Sequence, residues 1–287
     1  MLSRRATIGG ISSLLAMKPA VARRKHPQIG GGGAGGGGGG YVAKAVHFDG
    51  NTVLVNSSLV AGADTSFAFF AGWVLVLELQ NGYLFVSDPN GSYSNDLNIS
   101  VSTGGAGPDN IMNRFQPQWG NAAGNNFYNI ASVLDPSFAV GVWRFLISAA
   151  STNFDTGEKR GRAYIGDVNV TNISHDIGGP FLMSLDALPF YFGGDSFGAN
   201  LIGDVADFRF QCGTNILDEA GDIPLTTRRL LIDENGKPVN PSVATAVLGV
   251  PQMLLSGNSS TFATNQGSGG TFATTGALTN ASTSPSD

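Results

Sequence analysis

The residues Gly194-Asp195-Ser196-Phe197-Gly198 spell a G-x-S-x-G nucleophile elbow. In that hydrolase order the catalytic histidine follows the serine. His26, His47 and His175 all precede it, and no helical pattern comes after Ser196. A trypsin-like order needs a glycine after the serine, where this chain has Phe197. The segment therefore reads as a hairpin turn. Retaining glycoside hydrolysis needs two carboxyl groups about 5–5.5 Å apart, which a strand supplies at alternate positions on one face. The glutamates are Glu78, Glu158, Glu219 and Glu234, and Glu78 has no carboxylate two or four residues beyond it. Three scattered histidines and a single cysteine, Cys212, offer no zinc spacing. Calcium takes Asp, Asn and carbonyl oxygens, and Asp88, Asn90 and Asp96, with Asp109 and Asn110 nearby, are candidate loop ligands. The same residue types also favour turns for backbone reasons. A sugar site combines an aromatic face with amide groups. Gln116-Pro117-Gln118-Trp119-Gly120-Asn121, continuing to Asn125-Asn126-Phe127-Tyr128, has that composition. Trp119, Asn121, Asn125 and Asn126 are thus the candidate ligand-binding residues, although a loop tryptophan also serves as a lid over a core.

The elements that must position these residues are strands. Val42, Lys44, Val46 and Phe48 alternate with Ala43, Ala45 and His47, and Ser66 to Glu78 is a long β-prone run. Trp143, Phe145 and Ile147 fall on one side of a further strand, Arg144, Leu146 and Ser148 on the other. Ala206, Phe208 and Phe210 are expected to face a core, with Asp207 and Arg209 on the outer face. Turn signals recur at Asn81-Gly82, Asp88-Pro89-Asn90-Gly91, Gly178-Gly179-Pro180 and Gly193-Gly194-Asp195. Some ten to twelve strands without crossover helices predict an all-β fold, an antiparallel jelly-roll β-sandwich with one short C-terminal helix and flexible termini. Pro224 opens that helix near Leu225 to Ile232, and Pro251 to Leu255 reads as one more strand. From Gly257 the Gly/Thr/Ser/Ala-rich tail reads as disordered.

Charge and composition set the outer limits. Of 287 residues 41 are glycine and 18 phenylalanine, and only 13 % are charged. Residues 1–29 carry six basic groups and no acid, leaving 10 basic against 21 acidic groups in the remainder, a formal charge of −11. So acidic a body repels nucleic acid and anionic membranes, and no apolar run is long enough to span a bilayer. Residues 1–22 read as a leader: a basic start, an apolar stretch from Ala6 to Met17, and Ala20-Val21-Ala22 as a cleavage site. Ser3-Arg4-Arg5 resembles the twin-arginine signature, with Thr7 and Lys18 as departures. An unstructured basic N-terminus is the alternative. Residues 23–40 form a basic and poly-Gly linker: Gly30 to Gly40 matches a dinucleotide fingerprint only trivially, lacking the strand before and the helix after. Cys212 follows the alternating run Val205 to Phe210 and reads as a buried, inert thiol.

Several segments together resemble the laminin-G-like branch of the concanavalin A-like lectin/glucanase superfamily. They are Val46-His47-Phe48-Asp49-Gly50 with Leu54 and Ser66 to Trp73, Gly141 to Ser148, Arg162 to Asp167, and Phe192-Gly193-Gly194 with Gly203 to Arg209. Arg162 to Asp167 is similar to the family's Y-x-D/N-G hairpin with Gly and Asp exchanged. The resemblance covers residues 41–213 and implies a jelly roll in which Trp143 packs into the sandwich core. The glucanase members carry Glu-x-Asp-x-Glu on one strand, which is absent here. Over 214–287, expected as a short helix, one strand and a disordered tail, a second resemblance appears. Arg228 to Ile232, Asn235 to Val239, Pro251 to Leu255 and Phe262 to Phe272 resemble a segment of tailed-phage and prophage proteins. The two resemblances imply a non-catalytic structural or adhesive virion protein with a lectin-like domain. Its partners would be a cell-surface or extracellular glycan or other virion proteins, with no cofactor unless calcium. An exported glycan-binding protein is the alternative, and a glycoside hydrolase with an unrecognised site is the third reading. The implied location is a virion or the space outside the cytoplasm.

Overall fold

Strand pairing, rather than helix, organises the chain. The structure, a computed structural model, describes residues 40–57, 59, 65–78, 81–87, 97–102, 114–120, 127–132, 140–152, 158–177, 179, 181–183, 189–195, 198 and 200–287. The leader and all of the linker except Gly40 lie outside them. One sheet runs in the order Val168–Asn169 (β10), Arg160–Ile165 (β9), Arg144–Ser151 (β8), Phe67–Val76 (β3), Ile202–Cys212 (β13), Val46–Asp49 (β1) and Thr279–Asn280 (β16). Met253–Leu255 (β14) also pairs with β13. The second sheet runs Thr171–Ile177 (β11), Phe127–Ser132 (β7), Arg114–Gly120 (β6), Asn98–Ser102 (β5), Asn81–Ser87 (β4), Phe190–Phe192 (β12), Val53–Asn56 (β2) and Ala273–Thr275 (β15). The pairs are antiparallel, as expected of a sandwich, and sixteen strands are found among the described residues.

Two hydrophobic layers flank the first sheet. Between the sheets lie Phe48, Phe70, Phe85, Phe115, Trp119, Phe190, Phe192, Phe208 and Phe210, none more than 0 % exposed. Phe70 stacks on Phe208 at 5.9 Å and meets Phe115 edge-on at 5.7 Å. Each such ring contributes roughly 1.5–3 kcal/mol by leaving water. On the other side of the first sheet Phe69, Trp73, Phe145, Ile147, Tyr164 and Ala206 form a second cluster with Ile216, Leu217, Ile223 and Ile232 from the C-terminal segment. A sheet covered on both faces needs apolar residues at both parities, which is why β3 reads as a continuous run, FAFFAGWVLV. Trp143 is corrected by the same fact. It packs against this outer cluster, and its indole N–H donates to Thr283 Oγ1 at 3.1 Å.

A β-bulge corrects the parity of β13. Pairing with β3 shifts between Ala206 and Arg209, and Asp207 sits there with φ +47°. The extra residue sends Val205, Phe208 and Phe210 inward while Ala206 joins the outer cluster. The inserted Phe208 occupies the space opposite Gly72, where a Cβ would lie 2.6 Å from Phe208 Cδ2 and 3.1 Å from its Cα. The β9–β10 hairpin turns on Gly166-Asp167, with Ile165 opposite Val168. Gly166 has φ +58° while Asp167 is not among the positive-φ residues. A II′ turn takes glycine first, which accounts for the exchanged order of the two residues.

The C-terminal expectations are corrected most. Two helices stand where one was expected: Leu225–Arg228 (α1) and Pro241–Leu248 (α2). In α2 Pro241 opens the first turn and the Asn240 side chain accepts from Ser242 N at 3.0 Å. The tail after Gly257 carries β15 and β16, which lengthen the two sheets by pairing with β2 and β1. Phe262 and Phe272 are buried in the main core at 0 % and 4 % exposure. The tail is ordered by two separated aromatic anchors and by hydrogen bonds to strand edges, neither of which composition registers. Asn56 Nδ2, for example, donates to Gly269 O at 2.9 Å.

Candidate binding face

Trp119 is not a ligand platform. It lies on β6, fully buried, 6.1 Å from and nearly parallel to the ring of Phe70. The segment read as a loop is a strand, and its alternation turns the tryptophan into the core. Asn121, Asn125 and Asn126 lie outside the described residues, as do Asp88, Asn90 and Asp96 with Asp109, Asn110 and Ser196. Among the described residues no three His, Cys, Asp or Glu side chains cluster as metal ligands would. Glu158 pairs with Arg160. Cys212 is held in burial that pushes its thiol pKa up.

The strand that buries Trp119 also builds a polar surface. Phe115 and Trp119 fix the inner parity of β6, so Gln116 and Gln118 belong to the outer face of the second sheet. Register carries that parity across the sheet. Gln118 is opposite Asn98 on β5 and Asn129 on β7. Asn98 is opposite Val86, Val86 opposite Tyr191, and Tyr191 opposite Val55. Asn129 is opposite His175 on β11. A second row places Tyr83, Ser100 and Gln116 side by side, and a third Asn81, Ser102 and Arg114. From Tyr191 to His175 the first row crosses five strand spacings, about 24 Å.

Among the described side chains, these rows hold Tyr83, Ser100, Gln116, Gln118 and Tyr191, together with Val86, and no carboxylate. Tyr83, Ser100, Gln116 and Tyr191 are half-buried, while Val86 and Gln118 between them are 3 % and 8 % exposed. Amides both donate and accept, and a tyrosine ring offers an apolar face with a polar tip. The arrangement suits polyhydroxylated ligands. It offers no pair of carboxylates for acid–base cleavage on these rows.

The outer face of the opposite sheet is largely covered. Residues 214–250 roof its outer face, pinned where Asp167 accepts from Arg228 at 2.7 Å and from Arg229 at 2.6 Å. Arg228 also lies 4.2 Å over the Tyr164 ring, whose hydroxyl donates to Asp222 at 2.5 Å. A second anchor surrounds the bulge. Asp207 accepts from Tyr41 Oη at 2.9 Å and from Ser256 Oγ at 2.6 Å. Burial pushes its carboxyl up to about 6, against the opposing pull of those two hydrogen bonds. Arg209, buried and lowered to about 10 by desolvation, donates to Gly249 O at 2.5 Å and Thr245 Oγ1 at 3.1 Å. A groove of about 560 Å³ beside it is lined by Tyr41, Pro241, Thr245, Val250, Leu254 and Gln266. Its polar groups are engaged internally, Gln266 Nε2 with Ser256 O and Thr245 Oγ1 with Pro241 O. This cluster joins the chain's N-terminal approach, β13 and the C-terminal segment.

Sequence reading took Trp119 as the ligand contact of the segment that holds Gln116 and Gln118, and Trp119 is buried. Tyr83, Asn98, Ser100 and Tyr191 carry no local signal, because the rows are assembled from strands far apart in the chain.

No protein-family model matches the chain, and no curated protein matches it by sequence. Among solved structures it is similar to a candidate carbohydrate-binding protein from Bacteroides ovatus. The two share 14 % identity over 85 % of this chain and 61 % of that one, with a TM-score of 0.52. It also overlaps mouse laminin α1 domains LG4-5, at 11 % identity over 61 % of this chain and 44 % of that one, with a TM-score of 0.41. This chain therefore spans less than two thirds of the length of either protein. The likeness to the Bacteroides protein is one of fold, an antiparallel β-sandwich.

Proposed function

We propose that the chain is a non-catalytic glycan-binding module whose ligand lies on the outer face of the second sheet. The observation that carries this reading is the row of Tyr83, Ser100 and Gln116, with Tyr191 on the same face: half-buried tyrosine, hydroxyl and amide groups. The roofing of the first sheet supports the same choice, because residues 214–250 pack over its apolar outer side. The fold shared with a candidate carbohydrate-binding protein is in keeping with it. A glycan array probed with the intact chain, with and without calcium, tests the reading. Binding that is lost in Tyr191→Ala supports it, and an array silent in both conditions refutes it.

The setting of the module is a virion or an exported protein. The ordered strings from Arg228 to Phe272 that resemble tailed-phage proteins favour an adhesive virion appendage. Mass spectrometry of purified particles decides this: the peptides of this chain are expected, and their consistent absence refutes the virion setting.

A further inference from the structure

We infer that the groove shared by Tyr41, α2, Leu254 and Gln266 is a second ligand site, separate from the sheet face proposed above, and that it takes a short uncharged saccharide. Its covered part is largely apolar: Leu254 is buried, and Tyr41 and Pro241 are half-buried. Asn240, Ser242 and Gln266 lie at its exposed part. The lining is held in place before any ligand arrives. Tyr41 Oη is 2.9 Å from both carboxylate oxygens of Asp207, which fixes the ring. Gln211 Nε2 donates to Leu248 O at 2.6 Å and Arg209 to Gly249 O at 2.5 Å, which pins the C-terminal end of α2. A preformed lining avoids part of the ordering cost of binding. The internal bonds spend Gln266 Nε2 and Thr245 Oγ1, but the exposed residues keep groups in reserve. Among the described residues no partner reaches Asn240 Nδ2, Ser242 Oγ or Gln266 Oε1. These three supply a donor, a hydroxyl of both kinds and an acceptor. No lining side chain carries a charge, and Asp207 and Arg209 beside the groove are bonded to Tyr41 Oη and Thr245 Oγ1. An ion therefore finds no counter-charge in the lining, and a wholly apolar ligand covers the three polar groups without satisfying them. A pyranose ring avoids both costs, with its apolar face on Tyr41 and Leu254 and its hydroxyls at the amides. The volume of about 560 Å³ falls within the roughly 300–1,000 Å³ of small-ligand sites and admits a mono- or disaccharide.

Saturation-transfer NMR on the full chain tests this, with glucose, galactose, xylose, cellobiose and lactose as neutral probes and glucuronate and glucosamine as charged ones. A ligand this small is expected to bind with a Kd on the order of 1 mM, within reach of that method. Transfer to at least one neutral sugar is expected, equally in the parent and in Tyr191→Ala. Ala246→Trp, at an exposed position of α2 that lines the groove, should abolish it by filling the space. Gln266→Ala should raise the Kd roughly two- to tenfold. Thermal melts establish that each variant is folded. Transfer lost in Tyr191→Ala but unchanged in Ala246→Trp assigns the sugar to the sheet face and overturns the groove. Transfer confined to a charged probe and lost in Ala246→Trp overturns the uncharged ligand. Self-association in the ultracentrifuge that disappears in Ala246→Trp, without transfer to any sugar, assigns the groove to a second copy of the chain and overturns the saccharide. No transfer to any probe overturns it as well, and leaves the sheet face to its own test on the array.

Discussion

Replacing Phe262 with alanine tests whether the C-terminal tail belongs to the core. Phe262 is 0 % exposed, with its ring 6.3 Å from Phe48 and 6.2 Å from Phe192. Both partners belong to the sandwich proper, on β1 and β12. Truncating a buried phenylalanine removes its transfer free energy and leaves a cavity, about 3–5 kcal/mol together. For a domain of this size each kcal/mol lowers the melting temperature by roughly 2–4 °C, so a loss of about 6–20 °C is expected. Phe262→Leu keeps most of the volume and should cost less than about 1.5 kcal/mol. Differential scanning calorimetry of both variants beside the parent reads the result. A melting temperature for Phe262→Ala within about 2 °C of the parent would refute the reasoning, since that is the behaviour of a side chain in a dispensable tail.

Asp207→Asn should remove a pH-dependent cost. The folded carboxyl titrates near 6, above the unfolded value of about 3.9. Its contribution is therefore most favourable below about pH 4 and is lost as pH rises to 6. The stability difference between parent and variant, from urea melts at pH 4 and pH 7, should shift towards the variant by up to about 3 kcal/mol; a constant difference refutes it. Arg228→Ala should cost about 2 kcal/mol through lost bonds to Asp167 and the Tyr164 ring, and an unchanged urea midpoint would count against the clamp. Trp119→Phe should lower the melting temperature without altering retention in a glycan gel, whereas Tyr191→Ala should do the reverse. The half-buried Cys212 thiol should react with a disulfide reagent more slowly in the native chain than after denaturation, because desolvation raises its pKa and keeps it protonated; equal rates in the native and denatured chain would contradict that.

Composition, alternation and turn residues determined the fold class. Runs such as Arg144–Ser151 and the recurrent Gly, Asn and Asp turns allow few alternatives to paired strands. The lack of Glu-x-Asp-x-Glu was equally plain in the sequence. Which side of a strand meets the core was legible only where the alternation is unbroken. At Asp207 one inserted residue reverses it, and the bulge depends on how β13 registers against β3. The second core escaped for a related reason: β3 is apolar at both parities, and only its contact with Ile216, Ile223 and Ile232 explains why. Tertiary structure alone assembles the face proposed to bind. Tyr83, Asn98, Gln118 and Tyr191 lie on four strands, and their adjacency follows from hydrogen-bond register between segments up to about a hundred residues apart. A sequence records which residues can form strands; the facing of those strands, and so the chemistry of the surface, is set by long-range pairing that no local pattern encodes.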